Sequence, residues 1–165
     1  MDQKKRIIIA IVILFVVVGG ILGVDYLQRQ EAASLAPVDM PPGSIPIFVN
    51  DKFVASFVPE NLDQLDMTSF VEAEEGKTEE GWLLRDVLLL YLDANDLEAK
   101  TQVTVSSSSR EKYIDLTWAE VENIDNMVLF DLSGRGTLKL VSRIPGFDIR
   151  DAWVQDTDNI EVKQQ

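Results

Sequence analysis

Residues 7 to 24 read IIIAIVILFVVVGGILGV, eighteen consecutive positions without a charge or a strongly polar side chain. At about 1.5 Å of rise per residue, such a helix is roughly 27 Å long, close to the ~30 Å of a bilayer's hydrocarbon core. Lys4, Lys5 and Arg6 stand immediately before it. The positive-inside bias therefore predicts a cytoplasmic N-terminus (1–6), a transmembrane helix (7–24) and an extracytoplasmic remainder at the cell membrane. A cleaved signal peptide has a shorter apolar run of ~7–15 residues and a small-residue cleavage site close behind it. Here the best such site, Ser34-Leu35-Ala36, lies well beyond the run and is followed by Pro37. The reading is an uncleaved signal-anchor. A buried core helix would carry a polar face, which this run lacks. The Gly19 to Gly23 spacing is a small-xxx-small pattern that would let two such helices approach as a homodimer.

Residues 25 to 165 hold 12 Lys+Arg against 27 Asp+Glu, a net charge of -15. Nucleic-acid binding is excluded on this balance, because its affinity comes from Lys and Arg displacing phosphate counterions. Acidity also keeps such a domain off anionic headgroups. The chain contains no Cys and no His. Disulfides, thiolate nucleophiles, iron–sulfur clusters and Ser-His-Asp or Cys-His machinery are thereby ruled out. Carboxylates alone favour Mg²⁺, Ca²⁺ or Mn²⁺ over zinc, copper or molybdenum, so neither a tight transition-metal site nor a cofactor is expected.

Residues 25–44 form a linker, in which Pro37, Pro41, Pro42 and Gly43 stop any extension of the first helix. The globular part, 45–165, reads as α+β, a mixed-sheet domain with about seven short strands, one solid helix and one or two minor ones. Ile47 and Val49, then Asn50-Asp51-Lys52, then Phe53 and Ala55 predict two strands about a turn. Pro59 to Leu65 predicts a short helical turn. Thr68–Glu72 predicts a strand, Glu72–Gly81 an acidic loop, and Trp82–Leu92 a buried helix with Arg85 and Asp86 exposed. Val103 and Val105, Tyr113–Leu116, Met127–Leu132, Leu138–Val141, and Trp153-Val154 through Ile160 and Val162 predict further strands. Thr117 with Glu120 is a capping box and predicts a short helix.

This ordered series resembles the oxidoreductase molybdopterin-binding domain, the sulfite-oxidase-like fold, over roughly residues 47 to 162. The matching pieces are Leu62-Asp63-Gln64-Leu65, the helix pattern Gly81-Trp82-Leu83-Leu84-Arg85-Asp86-Val87-Leu88, the small polar strand Val103 to Ser107, and Leu116-Thr117-Trp118-Ala119-Glu120. Gly134-Arg135-Gly136-Thr137-Leu138-Lys139-Leu140-Val141 and Trp153-Val154 complete it. In that family a Cys thiolate ligates molybdenum from the loop after the strand matching Thr68–Glu72, and His and Arg surround the cofactor phosphate. This chain has neither Cys nor His, and Thr137-Leu138-Lys139 stands where the family has Pro-Leu-Arg. The resemblance implies a degenerate member, with the fold kept and the metal site lost.

Among candidate sites, the acids Glu72, Glu74, Glu75, Glu79 and Glu80 read as a solvated loop, and no EF-hand spacing is met, since Asp93-x-Asn95 and Asp156-x-Asp158 are followed by Leu97 and Ile160 where an oxygen ligand belongs. No pair among the chain's many carboxylates is singled out for acid–base work. Ser106-Ser107-Ser108-Ser109-Arg110 and Ser133-Gly134-Arg135-Gly136 are polar turns. Arg110 and Arg135 are rare cations on an acidic domain, and a guanidinium is suited to a carboxylate or phosphate. They are the candidate contacts for an anion or an acidic partner, against the simpler reading that each offsets neighbouring acids. Three functions stay open: a membrane-anchored, non-catalytic binding or accessory module for an unknown protein or small molecule; an oxidoreductase-related protein holding a pterin or other anionic cofactor without a Cys ligand; and a structural subunit of a membrane complex.

Overall fold

Side-chain alternation along short segments dictates the architecture, and the computed structural model describes it for residues 40–164. The segment 7–24, with its membrane and dimer expectations, lies outside the described residues. Among the described residues no helix is long and apolar enough to cross a membrane.

The strands are β1 (Ile45–Val49), β2 (Lys52–Phe57), β3 (Met67–Val71), β4 (Thr78–Leu83), β5 (Gln102–Ser107), β6 (Lys112–Thr117), β7 (Leu129–Leu132), β8 (Leu138–Val141) and β9 (Asn159–Lys163). Two short α-helices, α1 (Leu84–Leu89) and α2 (Trp118–Glu122), and three 3₁₀ turns complete them. The described chain is mostly β. One sheet has five strands in the order β2-β1-β9-β5-β6, and the other four in the order β3-β4-β7-β8. The first is mixed, because β1 runs parallel to β9 while its other pairs are antiparallel. The second is antiparallel throughout.

Local chemistry explains several elements directly. Asn50 and Asp51, both at positive φ, form the two-residue loop between β1 and β2, a conformation that Asn and Asp tolerate and tight hairpins require. Thr117 caps α2 as anticipated: its hydroxyl accepts from the Glu120 amide, and the Glu120 carboxylate accepts from the Thr117 amide at 2.7 Å. Ile47, Phe57, Val103, Val105, Phe130, Leu138, Leu140, Ile160 and Val162 are essentially sealed from solvent. The sheets meet through the rings of Phe57 and Phe130, 6.3 Å apart.

Five expectations are corrected. In place of about seven strands in one mixed sheet, the described residues form nine strands in two sheets, whose apolar faces pack on each other. The acidic loop is shorter than Glu72–Gly81, because Thr78–Leu83 is β4, paired with both β3 and β7. The helix expected over Trp82–Leu92 is the six-residue α1. Trp82 and Leu83 are held in the ladder opposite Phe130 and Leu129. In place of exposed Arg85 and Asp86, both are half-buried, while Leu89 and Leu90 reach solvent. The last strand does not include Trp153-Val154. Val154 bridges to Leu140 of the four-stranded sheet, and β9 lies in the five-stranded sheet. The chain therefore passes from one sheet to the other between Val154 and Asn159.

Candidate functional site

Charged side chains from both sheets converge at that passage. Asp156 sits in it at φ +54°, a left-handed conformation that Asp adopts more readily than most residues. Its backbone carbonyl accepts from the Ser107 hydroxyl at 2.8 Å. Arg110, in the turn between β5 and β6, donates from Nε and Nη2 to Asp156 Oδ2 at 2.7 and 2.6 Å. Arg135, in the turn between β7 and β8, donates from Nη2 to Oδ1 at 3.3 Å, and the Thr137 hydroxyl donates to the same oxygen at 2.7 Å. The Thr137 hydroxyl and the two guanidinium groups hold the Asp156 carboxyl below the usual range against a burial penalty. The two arginines singled out from the sequence are thus brought together, although they belong to different sheets. Asp156, weighed in the sequence only as part of an incomplete EF-hand spacing, joins them.

Further positive charge lies near the sheet crossover. Of the eleven Lys and Arg in residues 40–164, five (Arg110, Lys112, Arg135, Lys139 and Arg150) contact the stretch Arg150–Asp156 or belong to it. Lys112 donates to the Asp151 carbonyl. Lys139 Nζ lies 5.0 Å and the Arg150 guanidinium carbon 5.9 Å from the centre of the Trp153 ring, within the range of cation–π attraction. A cavity of about 210 Å³ is lined by Arg110, Lys112, Trp153 and Gln155.

Beneath this corner lies a charged cluster that sequence reasoning missed. Glu79 of β4, Asp131 of β7 and Lys139 of β8 share one face of the four-stranded sheet. The register pairs Gly81 with Asp131 and Asp131 with Lys139, and Glu79 and Gly81 are two residues apart on one strand. Lys139 Nζ reaches Glu79 at 2.6 Å and Asp131 at 3.0 Å. The side chains are only 5%, 18% and 16% exposed for Glu79, Asp131 and Lys139. One ammonium serves two carboxylates, so one carboxyl holds its proton to unusually high pH. That carboxyl is Asp131, pushed up to about 6 by burial and by its hydrogen bond with Glu79, against the pull of Lys139. Glu79 moves the other way. Burial opposes its ionisation, but the hydrogen bond from Asp131 and the contact with Lys139 outweigh it.

Most acids of the former loop have structural partners. The buried Glu72 carboxylate accepts from the backbone amides of Glu74, Glu75 and Lys77 at 2.7, 2.8 and 3.1 Å and so ties the turn between β3 and β4. The Lys77 amide and its two companions hold its carboxyl low, although burial works against this. Glu74 accepts from the Arg150 amide and Glu75 pairs with the Arg150 side chain, fastening the turn to the segment before Trp153. Among the described residues no group of acidic side chains is placed to hold a metal ion.

A thiolate-ligated molybdenum centre does not fit these residues. The segment after β3, where the resemblance would place the ligand, carries Glu72, engaged by three amides, and the chain contains no thiol. Comparison of the sequence with protein-family models finds no match, and comparison with curated proteins finds none either.

Proposed function

We propose that the chain is a single-pass, membrane-anchored extracytoplasmic module that binds a partner protein or a small ligand and performs no catalysis, built on a degenerate sulfite-oxidase-like fold. The anchor rests on the apolar run 7–24 behind Lys4, Lys5 and Arg6. The non-catalytic reading rests on donor chemistry: without Cys or His, the chain lacks the side chains on which molybdenum ligation and most acyl- or electron-transfer sites depend. The observation that carries the binding role is the meeting of Arg110 and Arg135 at Asp156. Turns from two sheets there present cations on a rigid scaffold, the usual setting for recognition residues.

The test has two arms on the full chain. Protease added outside spheroplasts should digest residues 45–165 and spare the N-terminus; a protected C-terminus removes the anchor topology. In mild detergent, Arg110→Ala with Arg135→Ala should release a copurifying partner or ligand without lowering the melting temperature by more than a few degrees. Retention of that partner by the variant removes the binding role from this corner. Stoichiometric molybdenum in the native protein would replace the whole reading with the cofactor-binding alternative.

A further inference from the structure

We propose that the outer edge of β3 (Met67–Val71) is a docking site for an extended, cationic segment of a partner polypeptide, which joins the four-stranded sheet as a fifth, antiparallel strand. This surface is distinct from the Arg110–Arg135 corner and goes beyond the role proposed for it. The ladder shows which backbone groups are available. The Glu72 amide donates to the Lys77 carbonyl, and these two residues stand opposite each other just past the register of β3 with β4. Alternation along an antiparallel pair then turns the backbone of Thr68 and Phe70 towards β4 and that of Met67, Ser69 and Val71 outwards. Among the described residues these three N–H and three C=O groups have no partner. The other sheet edges carry devices that deter pairing. β2 has Lys52 and a bulge against β1, β6 has Lys112 and Asp115, and β8 is closed by the bridge from Leu140 to Val154. β3 reads Met-Thr-Ser-Phe-Val, with no charge, no Pro and no register shift against β4.

Side chains select the occupant. Met67 and Val71 are 50% and 62% exposed and flank Ser69, which stands opposite Glu80, so these four side chains share one face of the sheet. A bound strand with Lys or Arg opposite Ser69 and apolar residues opposite Met67 and Val71 complements that face, the long cation reaching towards Glu80. On the other face, Phe70 lines a hollow of about 200 Å³ together with Ala73, Ser142, Arg143 and Asp148. It offers room for an aliphatic side chain from the residue opposite Phe70. Strand addition draws affinity from the backbone and specificity from such alternate side chains. Charge sets the sign of the partner. Residues 66–80 and 143–150 hold seven acids and three bases, and the further base that reaches them, Lys139, is shared with Asp131. Lys77 and Arg150 are both taken by Glu75. Asp66 and Glu80 are exposed and meet no cation among the described residues. A second copy of this chain suits the edge poorly. The symmetric register that pairs the whole strand is centred on Ser69 and sets the Asp66 of each copy against the Glu72 of the other, an unfavourable like-charge pair. It also joins two domains of -15 each.

Amide hydrogen exchange, read by NMR on the full chain in mild detergent, tests the edge. The blocked peptide Lys-Val-Leu-Lys-Thr-Val-Lys should slow exchange of the Met67, Ser69 and Val71 amides saturably. The same peptide N-methylated at both Val and at the central Lys has lost the donors that face β3 and should not. Glu in place of every Lys should weaken binding about tenfold or more. Ser69→Pro removes an outward N–H, spares the ladder with β4 and should abolish binding. If that variant unfolds, Asp66→Lys with Glu80→Lys should reverse the preference from the Lys peptide to the Glu peptide. Unslowed amides, equal binding of the N-methylated or the Glu peptide, or an unreversed preference in the double variant overturns the site. So does slowed exchange without peptide that grows with protein concentration, which assigns the edge to a second copy. Arg110→Ala with Arg135→Ala should leave this readout unchanged, so failure of the corner and failure of this edge are told apart.

Discussion

Asparagine at position 131 keeps the shape of aspartate but removes the carboxyl that competes with Glu79 for Lys139. In the folded protein Asp131 holds its proton up to about pH 6, against an ordinary value of 3.8. At about 1.4 kcal/mol for each tenfold in proton affinity, keeping this group ionised in its buried position costs about 3 kcal/mol. Folding is favoured by the protonated form, so this contribution is fully present below pH 3.8 and is lost as the pH rises through about 6. Between pH 4.5 and 7 the wild type should lose about 2 kcal/mol from this residue. Glu79 is displaced in the opposite direction, so its contribution is lost only in acid, below its ordinary 4.5, and leaves this window to Asp131. Urea unfolding of the full chain in mild detergent, followed by fluorescence of the buried Trp82, Trp118 and Trp153, measures this. The advantage of Asp131→Asn over wild type should grow by about 2 kcal/mol from pH 4.5 to 7. Parallel pH profiles would refute the assignment of the shared proton to Asp131. A wild-type slope abolished by Glu79→Gln but untouched by Asp131→Asn would move it to Glu79.

Gly81→Ala should destabilise by about 3–5 kcal/mol, because a Cβ there would overlap the backbone carbonyl of Phe130 on the neighbouring strand; thermal unfolding by circular dichroism checks it. Thr117→Ala should cost about 1 kcal/mol through loss of the α2 cap, measured as a shift of the urea midpoint at unchanged slope. Glu72→Ala should expose the turn 73–77 to limited proteolysis. In the wild type that protection should persist above the ordinary Glu range and fade as acid protonates Glu72, whose folded carboxyl titrates lower; mapping the nicking site at pH 4 and pH 7 checks both.

Strand alternation in Val103–Ser107, the Asn50-Asp51 loop and the Thr117–Glu120 cap were legible because each depends on neighbours a few residues away. The strand Thr78–Leu83 was not. Glu79, Glu80 and Gly81 belong to types depleted from strands, and their pairing partners lie outside that segment. The apolar run Trp82–Leu92 divides between a strand and a six-residue helix, a division that hydrophobic spacing alone does not mark. Of the candidate site, Arg110 and Arg135 were visible as isolated cations in polar turns. Their shared carboxylate was not, because Asp156 is one acid among many in the sequence.

The amino-acid sequence by itself determined the apolar segment with its basic flank, the acidic charge of residues 25–165, the absence of thiol and imidazole chemistry, and the local turns and caps. Those properties depend on composition or on residues close together in the chain. Only the tertiary structure decided that Glu79, Asp131 and Lys139 share one buried face, and that the passage between sheets sets Asp156 between two arginines. These charges come from strands and turns far apart along the chain. Their ionisation depends on burial and on each other's fields, which exist only once the two sheets have formed and packed.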